Sequence, residues 1–318
     1  MSDTPFISYS QNREDVVLWR ALGQVPDGRY LEVGANHPRD DSVSRAFYDR
    51  GWSGITVEPV HAFAEAHRLE RPRDTLVQAV VTDGPRGEIV LHEVPGTGLS
   101  SIIDEVGQQH REAGVEVVER TVPSLPLSDV LQENGGLDQT IHFMVVDTEG
   151  AEAKVLQSID LTVSRPWVLV VESTAPNSSV QTHAEWEPRI LAAGYEFCLF
   201  DGLSRFYVAS EHATTLGPRL SYPACVLDAH VPAAVHRVLQ DRVDLLGQVV
   251  HWRTEALTQW AGALSTSVAT TPPSRQSDLE AIARANAELA AIRNTLSWRI
   301  TRPVRLARRT IDRIRGRS

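Results

Sequence analysis

RYLEVGANHPRDDSV, residues 29–43, decides the reading of this chain, with SGITVEP, residues 53–59, as its echo. In the first, an apolar run carries an acid, Glu32, and closes on Gly34; in the second, the run ends at Glu58. Short apolar runs bounded by glycine or proline read as strands. Carboxylates are costly to bury, so acids at the tips of buried strands need partners.

Working outward, helical and strand patterns alternate. NREDVVLWRAL reads as a helix with acids in its first turn. DSVSRAFYDRG reads as a second helix, capped by Asp41 or Ser42 and ended by Gly51. HAFAEAHRLERP is a third helix, TLVQAVVTD a third strand and GEIVLHEV another. Residues 96–124 are less regular and read as an insertion or lid. PLSDVLQENG is a short helix, IHFMVVDTEG a strand stopping at Asp147, AEAKVLQSI a helix, and RPWVLVVES a strand ending at Glu172. HAEWEPRILAAG is a helix, and YEFCLFDGLSRFYVAS a hairpin around Asp201-Gly202. Such alternation predicts an α/β fold, a largely parallel sheet covered by helices.

Past residue 212 the composition changes. The expected organisation is a catalytic domain over 1–212, a helical extension over 213–264, a Ser/Thr/Pro linker over 265–278, and a short coiled-coil-like helix with a basic tail over 279–318. Leu279, Ile282, Leu289 and Leu296 mark the weak heptad pattern of the last segment. Residues 279–318 carry a net charge of +7 and the remainder −17, for −10 overall. That acidic balance excludes a general nucleic-acid binder. The 2 cysteines, Cys198 and Cys225, form no CxxC and read as packing residues in a reducing compartment. With no signal peptide and no membrane-length apolar run, the expected location is cytoplasmic, with a peripheral association of the basic tail at the inner membrane face as an added reading.

In an open parallel sheet, ligands bind beyond the carboxyl ends of the strands. Glu32, Glu58, Asp147 and Glu172 fall at such ends, and Asp83 lies close to them. Glu58 follows Glu32 at a spacing suited to gripping ribose hydroxyls. A dinucleotide site would need G-x-G-x-x-G, whereas this turn is Gly34-Ala35-Asn36-His37-Pro38. Acids with no phosphate cradle suit an adenosine-bearing sulfonium, S-adenosylmethionine. Short-chain dehydrogenases need Tyr-x-x-x-Lys, and Gly150 stands four residues before Lys154, the sole lysine.

LEVGAN, ITVEP and VVDTEGAEAKVL resemble the motifs of FkbM-type S-adenosylmethionine-dependent O-methyltransferases. The family's D-V-G-A-N appears with Glu32 first, and its D-x-E-G-x-E as Asp147, Glu149, Gly150 and Glu152. SYSQNREDVVLWRAL, FYDRGWSGITVEP and FDGLSRFYVA resemble a subgroup associated with surface polysaccharide, and the similarity covers residues 6–212. The resemblance implies a class I methyltransferase fold: a seven-stranded, mostly parallel Rossmann-like sheet with an antiparallel edge hairpin. It implies Glu32, Gly34 and Asn36 near the methionine part of the cofactor, Glu58 on the ribose, Asp83 near the adenine, and Gln11 and Asp15 folding over it. His37-Pro38 departs from the family pattern.

Methyl transfer to a hydroxyl needs positioning and a route for the proton. Asp147, Glu172 and His183 are the candidate catalytic groups. Asp147, Glu149 and Glu172 also form an oxygen set for a divalent cation such as Mg2+; against that, Glu149 and Glu152 suit the first turn of the following helix. Ser100 and Ser101 are candidate contacts to acceptor or cofactor, while Trp52, Trp167 and Trp186 read as core or sugar-facing surface. The expected activity is O-methylation of a sugar hydroxyl in glycan assembly. The C-terminal helix would pair copies of the chain or dock a glycosyltransferase. Two alternatives stand: an inactive scaffold, and a nicotinamide-linked sugar oxidoreductase.

Overall fold

Seven strands form the central sheet of this computed structural model, which describes residues 5–268, 275–295 and 298. In spatial order they are β10 (Tyr195–Phe200), β11 (Ser204–Ala209), β9 (Val168–Glu172), β8 (Phe143–Val146), β2 (Arg29–Val33), β3 (Ser53–Val57) and β4 (Thr75–Val77). From β9 to β4 all neighbours are parallel, and the β10–β11 hairpin closes one edge antiparallel. The mostly parallel Rossmann-like architecture and the hairpin read from YEFCLFDGLSRFYVAS are both present.

The apolar strand runs follow from burial on both faces. Leu31, Val33, Ile55, Val57, Met144, Val146, Leu169 and Val171 face a layer built from α5 (Leu127–Glu133), α6 (Glu152–Gln157) and α7 (Glu187–Ala192). Their alternates Tyr30, Phe143, Val145, Val168 and Val170 face α1 (Glu14–Leu22), α2 (Arg45–Tyr48) and α8 (Ser210–Leu220). Trp52 and Trp186 are core residues. The second expected helix is short: α2 is a single turn, and neither Asp41 nor Ser42 caps it.

The segment TLVQAVVTD divides. Its first part is β4, and Val80–Val81 (β5) leaves the central sheet to pair with Val118–Leu125 (β7), which also pairs antiparallel with Gly87–Glu93 (β6). Residues 96–124 are therefore no mere lid: they hold α4 (Asp104–Glu112) and the middle strand of this second sheet. Charged and proline-bearing VERTVPSL hid that strand, because only part of it meets the core.

The chain divides into two compact units, residues 1–240 and 241–318. The first runs beyond the expected limit of 212, for two reasons. Arg20 reaches α8 and the turn after it, donating to Arg219 O (2.6 Å) and pairing with Asp228 (3.1 Å). His230–Pro232 (β12) then pairs with Phe6–Ser8 (β1). Helix α9 (Ala233–Val268) runs into the expected linker, and α10 (Arg275–Asn294) begins within it. Ser265, Thr266 and Ser267 contain no helix breaker, and the first prolines are Pro272 and Pro273. Leu296, the prolines and the basic tail from residue 299 lie outside the described residues. Among the described residues, no helix is long and apolar enough to cross a membrane.

Candidate functional site

Register sets the site. Val33 pairs with Val57 and Val146, and Val146 pairs with Val171. The next residue on each strand, Gly34, Glu58, Asp147 and Glu172, therefore stands on one level at the carboxyl edge. There they line a cavity of about 400 Å³, within the range of small-molecule sites.

Gly34 cannot be another residue. Its φ is +80°, and a Cβ there would lie 1.7 Å from the Asp147 carbonyl oxygen. The β2 and β8 backbones touch at this point, which lets the following turn curl over the sheet edge. Asn36, also left-handed at φ +46°, is held on both sides. Its N–H donates to Glu58 Oε2 (2.7 Å), and its carbonyl meets His67 Nε2 (2.9 Å). Its side-chain Oδ1 is buried with no hydrogen-bond partner. Glu58 Oε1 accepts from Val60 N–H (2.7 Å). Both carboxylate oxygens are thus aimed by backbone N–H groups while keeping lone pairs for a ligand. Burial pushes the Glu58 carboxyl up to about 7, against the two N–H bonds that favour its charge.

Glu32 sits within β2, not at its tip, and is turned toward the helical layer. It accepts from Val43 N–H (3.2 Å) and Ser44 Oγ and lies 3.8 Å from the Arg71 guanidinium. Arg71 is fully buried and also binds Asp74 (2.7 Å), Tyr30 Oη (2.9 Å) and Ser42 Oγ (3.1 Å). Glu32 touches the cavity, but its oxygens are committed to this network, which pins the turn to α3 (His61–Glu70). His67 and Arg71 were not among the expected site residues. Their i,i+4 spacing, beside the buried Ala64 stripe, was the available signal.

The DTEG loop separates its acids. Glu152 accepts from Thr148 N–H (3.0 Å), Thr148 Oγ1 (3.0 Å) and Gly150 N–H (3.1 Å), so it shapes the loop. Glu149, at φ +51°, is left free of that duty. It joins Asp147 and Glu172, and one oxygen from each lies within 4.8 Å of the others. Burial first, then the negative charge of neighbouring carboxylates, Glu152 among them for each, raises all three carboxyls above the ordinary range, Glu172 most. Glu172 Oε2 is buried without a hydrogen-bond partner. Ser101 Oγ donates to Glu149 O (2.8 Å) and Ser100 Oγ accepts from Val94 N–H (3.1 Å), tying the 97–102 loop across the cavity.

Three expected site residues lie elsewhere. Asp15 is buried and saturated by Ser8 Oγ (2.7 Å), Tyr9 N–H (2.7 Å) and Ser10 Oγ (2.8 Å); it orders the segment that brings Gln11 to the cavity rim. Asp83 is exposed, 3.9 Å from Lys154 and outside the cavity lining, because the chain has by then left the central sheet. His183, in a short 3-10 turn at 183–185, faces Glu187 at 3.8 Å and does not line the cavity. The half-buried Cys198 and Cys225 are not part of the site.

The cavity has two kinds of wall. Val60, Phe63, Val80, Leu91 and Ile102 form an apolar slot beside Glu58. The remainder is acidic: Glu32, Asp41, Glu58, Asp147, Glu149 and Glu172 line it, and no Lys, Arg or His does among the described residues. Such a wall attracts cations and repels phosphate. The profile of the Methyltransferase FkbM domain family matches residues 32–197, a span that includes every acid just named. A comparison with curated proteins finds no match.

Proposed function

The chain belongs to the FkbM methyltransferase family, and from that premise we propose that its cavity binds S-adenosylmethionine and that it methylates a sugar hydroxyl in surface-polysaccharide or glycan assembly. The observation that carries the reading is the acidic, cation-seeking wall around an apolar slot. A base fits among Val60, Phe63 and Val80, and a ribose diol fits Glu58, whose oxygens are already oriented. The orphaned Asn36 Oδ1 awaits a donor. A phosphate-bearing nicotinamide dinucleotide finds no basic partner there among the described residues.

Bound in this cavity, the cofactor supplies an electrophilic methyl group. The chain's own residues orient the acceptor and take its proton. Asp147 and Glu149 stand at the strand edge with raised carboxyl pKa values, which makes them better bases near neutral pH than ordinary carboxylates. Asn177 and Ser178, on the exposed rim, and Thr174 offer hydrogen bonds to a hydroxylated acceptor.

A second occupancy of the same three groups would place Mg2+ on Asp147, Glu149 and Glu172, and the ion would then take over the activation of the acceptor from the free carboxylates. Three converging carboxylate oxygens with one buried and unpartnered suit a hard cation. There the ion would lower the pKa of a coordinated hydroxyl.

Transfer of labelled methyl from S-adenosylmethionine to free sugars, nucleotide sugars and lipid-linked glycans tests the function. The expected product is a methyl ether, formed at least a hundredfold more slowly by Asp147→Asn. Labelling of none of these acceptors by a protein that binds the cofactor would overturn the sugar assignment.

A further inference from the structure

Helix α9, most of which lies in the second unit, carries an apolar surface left open. Leu239, Val243, Leu246, Val250, Arg253, Leu257, Trp260 and Leu264 follow one another at alternating steps of four and three. That is the 3.5-residue period of a left-handed coiled-coil seam. The six apolar members from Val243 onward remain 47–62 % exposed. An apolar seam of this length left open to water is an interaction surface.

The choice of residues identifies the occupant. The step pattern places Val243, Val250, Leu257 and Leu264 at a, and Leu239, Leu246, Arg253 and Trp260 at d. β-Branched residues at a with leucine at d favour two parallel strands, and the first half of the seam has that arrangement. From Leu239 to Leu264 the helix spans about 39 Å at 1.5 Å per residue. At on the order of 100 Å² of apolar surface per seam side chain, the seven apolar positions cover roughly 700 Å² on each copy. That approaches the ≈800 Å² per partner of a stable interface. Arg253 is the one charged seam residue; its aliphatic stem packs while its head reaches water, and a lone polar seam position fixes register. We propose that α9 pairs in parallel with α9 of a second copy of this chain. The coiled-coil pattern expected from sequence lies at 279–296; the stronger one lies within the segment expected only as a helical extension.

Sedimentation of the full chain across a concentration series tests this. The expected mass is that of two copies, reverting to one in Leu246→Asp and in Val250→Asp. Both substitutions are on an exposed helix face, so the variants should retain the wild-type melting of the first unit. Leu246→Cys, at d, should give a disulfide-linked dimer under mild oxidation that the wild type does not. A wild-type monomer at tens of micromolar, as expected if α10 or another protein covers the seam, would overturn the proposal. So would a dimer indifferent to both Asp substitutions. A dimer that Leu246→Cys fails to cross-link would overturn the parallel arrangement.

Discussion

Gly34 and Glu58 are the two residues on which the site turns. Gly34→Ala forces a methyl group into the Asp147 carbonyl and an L-residue into φ +80°. Overpacking at a rigid backbone contact costs about 1–3 kcal/mol and often more, and the left-handed backbone adds to it. The variant should melt well below wild type and lose cofactor binding; equal melting temperatures would contradict the contact. Glu58 makes binding depend on pH. Its carboxyl sits at about 7 because it is buried, and a diol donating to both oxygens favours the charged form. Binding below that pH must expel a proton, so affinity for S-adenosylhomocysteine should fall by up to about tenfold per pH unit below 7. In Glu58→Gln that dependence should vanish, which titration at pH 6 and pH 8 would show. Gly34, Glu58, Asp147, Glu149 and Glu172 were legible because each follows an apolar run at its edge. Glu32 lines the cavity but is held by Arg71, and Asp15 is held by Ser8, Tyr9 and Ser10 away from it; an acid reads the same in sequence whether it faces a ligand, a buried guanidinium or local hydroxyls.

At the scale of elements, buried acids at the sheet edge and at the start of α1 oppose the packing that encloses them. Glu58 at about 7 and Glu14 at about 8 bind protons more tightly when folded than when unfolded. Through these groups the folded chain binds more protons between the ordinary carboxylate range and about pH 8; His67, pushed down to about 4 by burial and Arg71, acts the other way below its ordinary value, and the more numerous acids prevail, so stability falls as pH rises through that window. The melting temperature should decline from pH 5.5 to pH 8, and recovery of part of the loss on adding Mg2+ would be the sign that Asp147, Glu149 and Glu172 hold the ion proposed for them. A curve rising over this window would contradict the burial. The Arg71 network is the other vulnerable joint. Arg71→Ala strands Asp74 and Glu32 without their cation, a loss of about 3–5 kcal/mol for a broken buried pair, readable by urea unfolding. Elements with two buried faces announced themselves in sequence. β7 did not, because Glu119, Arg120 and Thr121 face water.

For the whole molecule, the decisive boundary is at residue 240 and not at 212. Ending the chain at 212 removes most of α8 and all of β12, leaving β1 unpaired and Arg20 without Asp228. Ending it at 240 keeps all three. The shorter protein should melt markedly lower, whereas the longer one should bind S-adenosylhomocysteine as the full chain does. Composition marked the change at 212 but not these pairings, because long-range strand pairing leaves no local pattern in HVP.

The most direct test of the account is calorimetric titration of S-adenosylhomocysteine into the full chain and into Glu58→Gln, with melting temperatures measured alongside. One ligand per chain at micromolar affinity is predicted, weakened at least tenfold in Glu58→Gln without loss of folding, or about 1.4 kcal/mol. No binding to folded wild type, or equal binding to both proteins, would contradict the assignment of this cavity.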